Sequence, residues 1–310
     1  MKCPICGNPN SKYLFSQGDK RTKMPGVFKL FHCSSCHTEF ISPPTNLSDY
    51  YKSDYFNDFQ ENGDLLFKIK QKVIREKYHA TNVMSKKIFN FLGRYISALP
   101  SKTGKVLDFG CSCGDILYML KKSGFDVYGM DISKIAVEKC HEHNLNDVFL
   151  GTEKDLNIFP DNFFNSIRAS HVIEHMIDPK MFVKLANKKL RKNGELVIQT
   201  PNINSLGILF GKHTKYYFDI PRHIILFSSN SIKYLLNKNG FSKVKISYIN
   251  FFGDQMDNFY IYLKDKNSKI YGIFCQPPIK FIVRLLFMPI EIILSCVNYS
   301  QTMTITASKN

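Results

Sequence analysis

The chain has 310 residues, 44% of them hydrophobic and 14% aromatic, enough for one large domain with a smaller companion. Its formal charge of +16 invites a nucleic-acid partner, yet only seven of the 42 basic residues are Arg, and the lysines are scattered without a dense basic arm. Arg is the side chain suited to bidentate phosphate and base contacts, so the charge reads as a solvated Lys-rich surface that attracts anionic head groups or a phosphorylated substrate, and nucleic acid is disfavoured.

The opening "MKCPICGNPN" carries no apolar run after its lysine, so no signal peptide is read there. Nine cysteines, four of them in CxxC pairs, suggest a reducing cytoplasm and a metal site rather than a disulfide scaffold. Cys3 and Cys6, then Cys33 and Cys36, are separated by 26 residues. Each pair can present two thiolates from a tight turn, and two such turns close a tetrahedron around Zn²⁺. A segment as short as residues 1–44 cannot build a sufficient core, so metal would supply its folding free energy. With all four positions taken by Cys, the ion is expected to be structural; a redox or unpaired cysteine set is the alternative.

Residues 45–100 read as a linker and helical cap. "TNLSDYYKSDYFNDFQEN" is polar and aromatic, and a helical period then runs from Asp64 to about Leu99 through Leu66, Ile69, Val73, Ile88, Phe91, Leu92 and Tyr95. Pro100 and Gly104 end it. From 101 onward strands and helices alternate. Strands are predicted over 105–109, 126–131, 147–151, 163–170 and 195–200, with helices after the first, second and fourth. Ser133 is a predicted N-cap, and Pro179 opens a helix closed before Gly194. A helix over 229–239 and strands at "KVKISYI" and "QTMTITASK" follow. The rhythm predicts an α/β domain, a doubly wound, mainly parallel sheet with helices on both faces, over 101–310.

"VLDFGCSCGD" is a buried-type strand, a glycine turn and a helix start. Gly110 and Gly114 allow the backbone to approach a ligand at the carboxyl end of the strand, where doubly wound folds bind cofactors. Asp131 ends the next strand 21 residues after Gly110, the place for an acid that accepts from ribose hydroxyls. The nicotinamide-type GxGxxG is absent, which argues against an oxidoreductase.

Together "VLDFGCSCGD", "GMDIS", "SHVIEHMIDP" and "LRKNGELVIQTPN" resemble the class I S-adenosylmethionine-dependent methyltransferases, over roughly residues 104–250. The resemblance implies a Rossmann-like seven-stranded sheet whose last strand is antiparallel. It implies that Asp108, Gly110, Cys111 and Gly114 surround the methionine part of the cofactor, that Asp131 and Ile132 meet the ribose side, and that Thr152 and Glu153 lie near the adenine. Ser112 stands where the family has its middle glycine, and Cys113 where Ser or Thr is usual. The four-cysteine segment, "YYKSDYF" and "FDIPRHIILFS" are further similar to bacterial methyltransferases associated with modified sugars in surface polysaccharide pathways.

His171 follows the fourth strand, where an acceptor would meet the methyl group. Three readings of the stretch stay open. His171 or His175 is a general base, for which an imidazole pKa of roughly 6.5 is suited. Or His171, Glu174, His175 and the distant His223 bind a divalent metal, which resembles the ExxEH pattern of small-RNA 2′-O-methyltransferases with His171 in place of the first glutamate. Or Glu174 and His175 cap and pack the next helix. Tyr216, Tyr217, Arg222 and His223 at the same rim offer an aromatic platform, a phosphate-binding guanidinium and a second base, with an ordered loop packed on the core as the alternative. No [DNS]PP[YFW] follows the fourth strand, which speaks against methylation of base amines.

Residues 271–300 form an apolar insert. Lys280, Arg284, Pro289 and Glu291 interrupt 279–297, so it does not read as a membrane span. Two helices on the sheet, a dimer contact, or an interfacial pair touching the inner membrane surface through 279–298 are the alternatives. The expectation is a cytoplasmic methyltransferase for a hydroxyl or carbon of a sugar or related small acceptor, nucleotide- or lipid-linked, with structural Zn²⁺. RNA methylation, or a non-catalytic zinc-ribbon nucleic-acid binder, is the alternative.

Overall fold

The computed structural model describes residues 1–19, 25–42, 65–93, 96, 98–101, 103–205, 219–248, 263, 268–274 and 276–310. The expected linker over 45–62 and the tyrosines at 216 and 217 lie outside the described residues.

The central sheet is laid down by β4 (Lys105–Phe109), β5 (Asp126–Asp131), β6 (Val148–Leu150), β7 (Phe164–Ser170), β8 (Leu190–Pro201), β10 (Phe241–Ser247) and β11 (Thr302–Lys309). Its order is β10-β11-β8-β7-β4-β5-β6. β6, β5, β4, β7 and β8 pair in parallel, and β11 is antiparallel to both β8 and β10. This is the expected doubly wound sheet with its last strand reversed. β4 has β5 on one side and β7 on the other, so the chain changes winding direction between β4 and β7. The crevice at that switch lies over the carboxyl ends of both strands, where open α/β sheets bind ligands.

Helices cover the faces. α1 (Leu65–His79) and α2 (Val83–Gly93) precede the sheet. The single predicted helical run is broken at 80–82 because Asn82 starts a new helix, its side chain accepting from Met84 N at 2.8 Å. α1 buries Phe67, Val73 and Ile74, while Ile69 faces outward. α3 (Asp115–Lys122), α4 (Lys134–Glu142), α5 (Pro179–Lys189) and α6 (Ser229–Lys238) wrap the strands. Ser133 caps α4 as predicted, accepting from Ala136 N at 3.3 Å. The helix predicted to run on to Gly194 stops at Lys189 instead. Leu190 already pairs with Phe164, and a bulge with Asn193 at φ 60° brings the strand back into register at Glu195.

β1 (Ser11–Gln17), β2 (Phe28–Cys33) and β3 (Glu39–Ser42) form a second, antiparallel sheet. Its fourth strand, β9 (Ile225–Leu226), comes from far along the chain and pairs with Glu39 and Phe40. Ile5, Leu30, Phe40 and Ile41 therefore pack in one continuous core with Ile225, Phe227, Ile173 and Ile198. At roughly 1.5–3 kcal/mol per fully buried large apolar side chain, this shared core fixes the N-terminal sheet to the parallel one.

Between β10 and β11 the insert forms α7 (Ser268–Phe274) and α8 (Pro277–Cys296), with Pro289 inside the latter. Val283 and Leu294 are buried, while Ile282, Leu286, Ile293 and Val297 are exposed. Among the described residues no helix is long and apolar enough to cross a membrane.

Candidate active site

The glycine turn closes β4 over the neighbouring strand. Gly110 N and Cys111 N both donate to Met130 O, at 2.7 and 3.3 Å. Gly110, Ser112 and Gly114 all have positive φ, at 76, 50 and 89°. A Cβ at Gly110 would stand 2.3 Å from Val172 Cγ2, so the turn presses against the residue that follows His171. A Cβ at Gly114 would stand 2.6 Å from Leu145 Cδ1. Gly114 also begins α3 without a side-chain cap, leaving the first amides of that helix for a ligand. Ser112 takes the left-handed conformation a glycine would take, so the loop keeps its path.

Asp131, at the end of β5, accepts from Ser112 N at 2.8 Å and from Ser133 N at 2.9 Å, one on each oxygen. A carboxylate has about four acceptor positions, so two remain for hydroxyls. Burial raises its pKa, against the backbone amides of Ser133, Ser112 and Ile132. Ile132 beside it is 64% exposed. Thr152 and Glu153 sit at the end of β6, whose Gly151 N donates to Asp131 O at 2.9 Å. The Thr152 hydroxyl is engaged with Asp155 at 3.0 Å in a capping box, so its side chain serves the helix turn.

Asp108 and Cys111 point inward. The Asp108 carboxylate is buried and paired with Arg168 of β7, whose Nε donates to Ala98 O at 3.0 Å. Burial raises the Asp108 pKa against the opposing pull of Arg168, and Oδ1 is buried with no partner among the described residues. The Cys111 thiol packs in the core with Leu117, Val137 and Cys140. It bonds Cys140, and that bond together with burial pushes its pKa up. Expected to meet the cofactor, Cys111 can do so only through its backbone.

His171 follows β7 with φ 55°, a region rare for bulky residues and found more often at functional sites. Its Nδ1 lies 3.2 Å from Glu174 Oε1, and half of its side chain is exposed. Since an ionised carboxylate only accepts, Nδ1 carries the proton and Nε2 presents a lone pair. Glu174 is fully buried, and its Oε2 accepts from Thr200 Oγ1 at 3.0 Å. Burial by itself would raise its pKa. The bond from His171 and the fields of His171, His175 and His223 outweigh that and hold it at about 2.

His175 Nδ1 is 2.8 Å from Arg222 O, a carbonyl, so again Nδ1 donates. The His223 ring lies 4.9 Å from the His175 ring. Burial, then His175, pulls the His223 pKa down to about 4. Ligand atoms of Glu174, His175 and His223 all lie within 4.8 Å of one another. Thus the four residues singled out from the sequence do converge. Arg222 does not join them as a phosphate-binding guanidinium. Its side chain is fully buried and held by Asp219 Oδ1 at 2.7 Å and Asp19 Oδ1 at 2.9 Å. Thr200 and Val172 were missed in the sequence. The parallel pairing of Ser170 with Gln199 puts Thr200 one step from His171, a signal that the two predicted strands contain once their register is known.

In the turns of the N-terminal segment, Cys3 and Cys36 sulfurs are 3.6 Å apart and those of Cys6 and Cys33 3.5 Å. The four lie within 4.8 Å of one another. A tetrahedron with arms of about 2.3 Å has edges of about 3.8 Å, so the cluster fits a four-thiolate ion closely. The two turns repeat one hydrogen-bond pattern. Cys3 N donates to Asn8 O and Gly7 N to Cys3 O; Cys33 N donates to Thr38 O and His37 N to Cys33 O. Gly7 and His37 both take positive φ.

A family model described as a methyltransferase domain matches residues 80–246, a span that holds the glycine turn, Asp131 and all three site histidines. The chain belongs to this methyltransferase-domain family. The four-cysteine turns lie outside the matched residues. Similar curated proteins include a ubiquinone biosynthesis O-methyltransferase of Bradyrhizobium diazoefficiens, 33% identical over 105 residues, 32% of this chain and 41% of that protein. Ribosomal RNA small subunit methyltransferase C of Colwellia psychrerythraea is 33% identical over 118 residues, 33% of this chain and 32% of that protein. The chain thus spans less than half the length of these curated relatives. Among solved structures, a SAM dependent methyltransferase from Archaeoglobus fulgidus aligns with a TM-score of 0.48 at 21% identity, over 79% of this chain and 100% of that one.

Proposed function

We propose that this methyltransferase-family chain moves a methyl group from S-adenosylmethionine to a hydroxyl of a small acceptor, a sugar or related molecule carried on a nucleotide or lipid. His171 is its general base. The reading rests above all on one juxtaposition: a carboxylate-oriented imidazole, His171 on Glu174, one residue from the Val172 side chain that abuts Gly110.

The donor side fits the residues present. Asp131 would hold ribose hydroxyls on its two remaining acceptor positions, Ile132 would cover the base edge, and the amides of the 110–114 turn would face the methionine part beside Asp108 Oδ1, which has no partner among the described residues. When bound, S-adenosylmethionine supplies an already activated sulfonium methyl, whose C–S electron pair leaves with sulfur as the new O–C bond forms. The protein must align the acceptor and take its proton. His171 Nε2 receives that proton while Glu174 stabilises the resulting imidazolium, a contribution of about 10²–10⁴-fold in rate.

An oxygen acceptor agrees with the printed names of the ubiquinone O-methyltransferases. The sugar reading rests on the similarity of the four-cysteine and "FDIPRHIILFS" segments noted above, and the charge of +16 suits an anionic carrier. Cys3, Cys6, Cys33 and Cys36 hold a structural Zn²⁺ in this reading. The exposed Ile282, Leu286 and Ile293 of α8, and Val297 just after it, would rest on the membrane that presents a lipid-linked acceptor. The ribosomal RNA methyltransferase among the relatives favours RNA as the second reading.

Calorimetry with S-adenosylmethionine is the first test. Wild type should bind, Asp131→Asn should bind at least about tenfold more weakly, and absence of wild-type binding would end the proposal. Labelled methyl groups should then pass to nucleotide sugars or lipid-linked glycans, and to RNA under the second reading. With the acceptor found, His171→Ala should keep donor affinity and lose about 10²–10⁴-fold in turnover.

A further inference from the structure

We propose that Ser205, Ser300 and Gln301 form a subsite that holds an uncharged, hydroxyl-bearing part of the acceptor and so decides which hydroxyl reaches His171. The link to His171 rests on the methyl-transfer reading; the affinity of the three side chains for a neutral sugar does not.

The carrying observation is three side chains without partners. Ser205 Oγ, Ser300 Oγ and Gln301 Nε2 are buried and make no hydrogen bond among the described residues. Ser205 and Ser300 are fully buried, and Gln301 is 9% exposed. Buried polar atoms are nearly always paired. Each one left unsatisfied lowers the folding equilibrium by about 5- to 150-fold, and a partner from outside the chain would offset that.

The three are neighbours, and the frame behind them is complete. Asn202, fully buried just past β8, touches the backbone of all three. Its N donates to Gln301 O at 2.6 Å, its Nδ2 to Ser300 O at 2.9 Å, and its O accepts from Ser205 N at 3.0 Å. Its Oδ1 accepts from Asn204 N at 3.1 Å. The backbone is therefore fixed while the side-chain ends stay unpaired, which is how a preorganised site is built.

The place is the carboxyl end of β8, on the rim that carries His171. Thr200, two residues before Asn202, donates to Glu174 Oε2 at 3.0 Å, and Glu174 Oε1 lies 3.2 Å from His171 Nδ1. At about 3.3 Å per strand residue, Asn202 stands about 7 Å beyond Thr200. A ring held at the subsite by some of its hydroxyls would present another to His171.

The donor set selects the ligand class. Gln301 Nε2 offers two hydrogens, and each serine hydroxyl gives one and also accepts. Neither 201–205 nor 298–302 contains a charged residue. A phosphate or carboxylate placed there would be a buried charge without a cation, which is costly. A sugar hydroxyl, giving and accepting as the serines do, matches the set, and an anionic carrier must lie elsewhere.

Nitrogen–proton correlation spectra of the full chain test this. The reporter is the Gln301 carboxamide, assigned by its loss in Gln301→Met. The probes are glucose, galactose, mannose and N-acetylglucosamine at millimolar concentration, with UDP as the anionic control. At least one sugar should shift the reporter saturably, and UDP should not. Ser300→Ala should weaken that sugar at least about fivefold, since a ligand hydroxyl then loses its buried partner. The urea midpoints of Ser300→Ala and Gln301→Met should be unchanged or higher, because neither atom bonds the protein. A reporter that no sugar moves, or that UDP moves, overturns the subsite. So does a folded Ser300→Ala protein that binds the sugar as tightly as wild type, or a midpoint that falls in both variants. The wild-type titration needs no variant, so a misfolded substitution does not blunt the test. S-adenosylmethionine calorimetry on the same samples separates the two claims. Sugar binding without donor binding would leave the subsite standing and remove the methyl-transfer reading; donor binding without sugar binding would do the reverse.

Discussion

Two buried arginines hold the two halves of this site, and they work at very different range. Arg168 pairs with Asp108 on the adjacent strand, directly across the β4–β7 register and beneath the glycine turn. Arg222 gathers Asp219, three residues away, and Asp19, 203 residues away, beneath the imidazole cluster. The donor half is thus built from backbone turns on neighbouring strands. The acceptor half is built from side chains that only the tertiary fold collects, and the N-terminal sheet is part of its foundation. Where a site is made of local backbone, it should survive damage elsewhere. Where it is made of long-range contacts, it should not.

The harshest way to break that contrast is Cys33→Ser. Structural zinc in small metal domains contributes apparent binding energies of about 10–16 kcal/mol, so under the proposed four-thiolate zinc reading losing a ligand should release the ion and loosen β1–β3. β9 pairs with β3, and Ser228 Oγ donates to Cys36 O at 2.9 Å. The loss should therefore spread to 219–228, read as faster amide exchange there. Affinity for S-adenosylmethionine should stay within a few-fold of wild type. Donor binding that collapses with the zinc would erase the distinction between the halves.

The next pair of substitutions sets the two arginines against each other. Arg222→Met leaves Asp19 and Asp219 buried without their cation, and Arg168→Met does the same to Asp108. Each should cost about 3–5 kcal/mol in urea unfolding. Their functional signatures should differ: Arg222→Met should lower turnover of the acceptor and leave donor binding in place, whereas Arg168→Met should weaken donor binding. The Arg168→Met deficit should also depend on pH in a definite sense. Burial already raises the Asp108 pKa, and Arg168 opposes it; without Arg168 it rises further. A raised carboxyl pKa means that the folded state holds its proton more tightly than the unfolded chain. The deficit therefore grows as pH climbs past the already raised wild-type value toward the variant's still higher one, and shrinks as pH falls below both.

The same contrast explains what the sequence made legible. The alternation of strands and helices, the glycine turn and Asp131 follow from hydrophobic periodicity and short spacing, the reversed last strand was implied by the family resemblance, and the structure has all of them. His171, Glu174, His175 and His223 could be named because they are chemically distinctive, although 52 residues separate the first from the last. What could not be read was direction. Arg222 looked like an anion receptor because nothing in the local sequence announces Asp19. Cys111 looked like a loop ligand because its burial depends on Cys140 and Leu117. Helix α5 ended early because Leu190 finds a strand partner in Phe164, a contact no helical propensity encodes.

The mildest test lies in the donor loop itself. Ser112 holds φ at 50°, where a side chain other than glycine's costs roughly 1–2 kcal/mol. Ser112→Gly would remove that cost and add about 0.5–1 kcal/mol of backbone freedom to the unfolded chain, so the two effects largely cancel. Its backbone contacts remain available, since Asp131 bonds the Ser112 amide and Cys140 Sγ its carbonyl. The expected result is a melting temperature within about 2 °C of wild type and donor affinity unchanged or raised by about fivefold at most, as about 1 kcal/mol of relieved strain allows. A larger fall in affinity would mean that the Ser112 hydroxyl itself reaches the donor, and the donor half would then depend on a side chain as the acceptor half does.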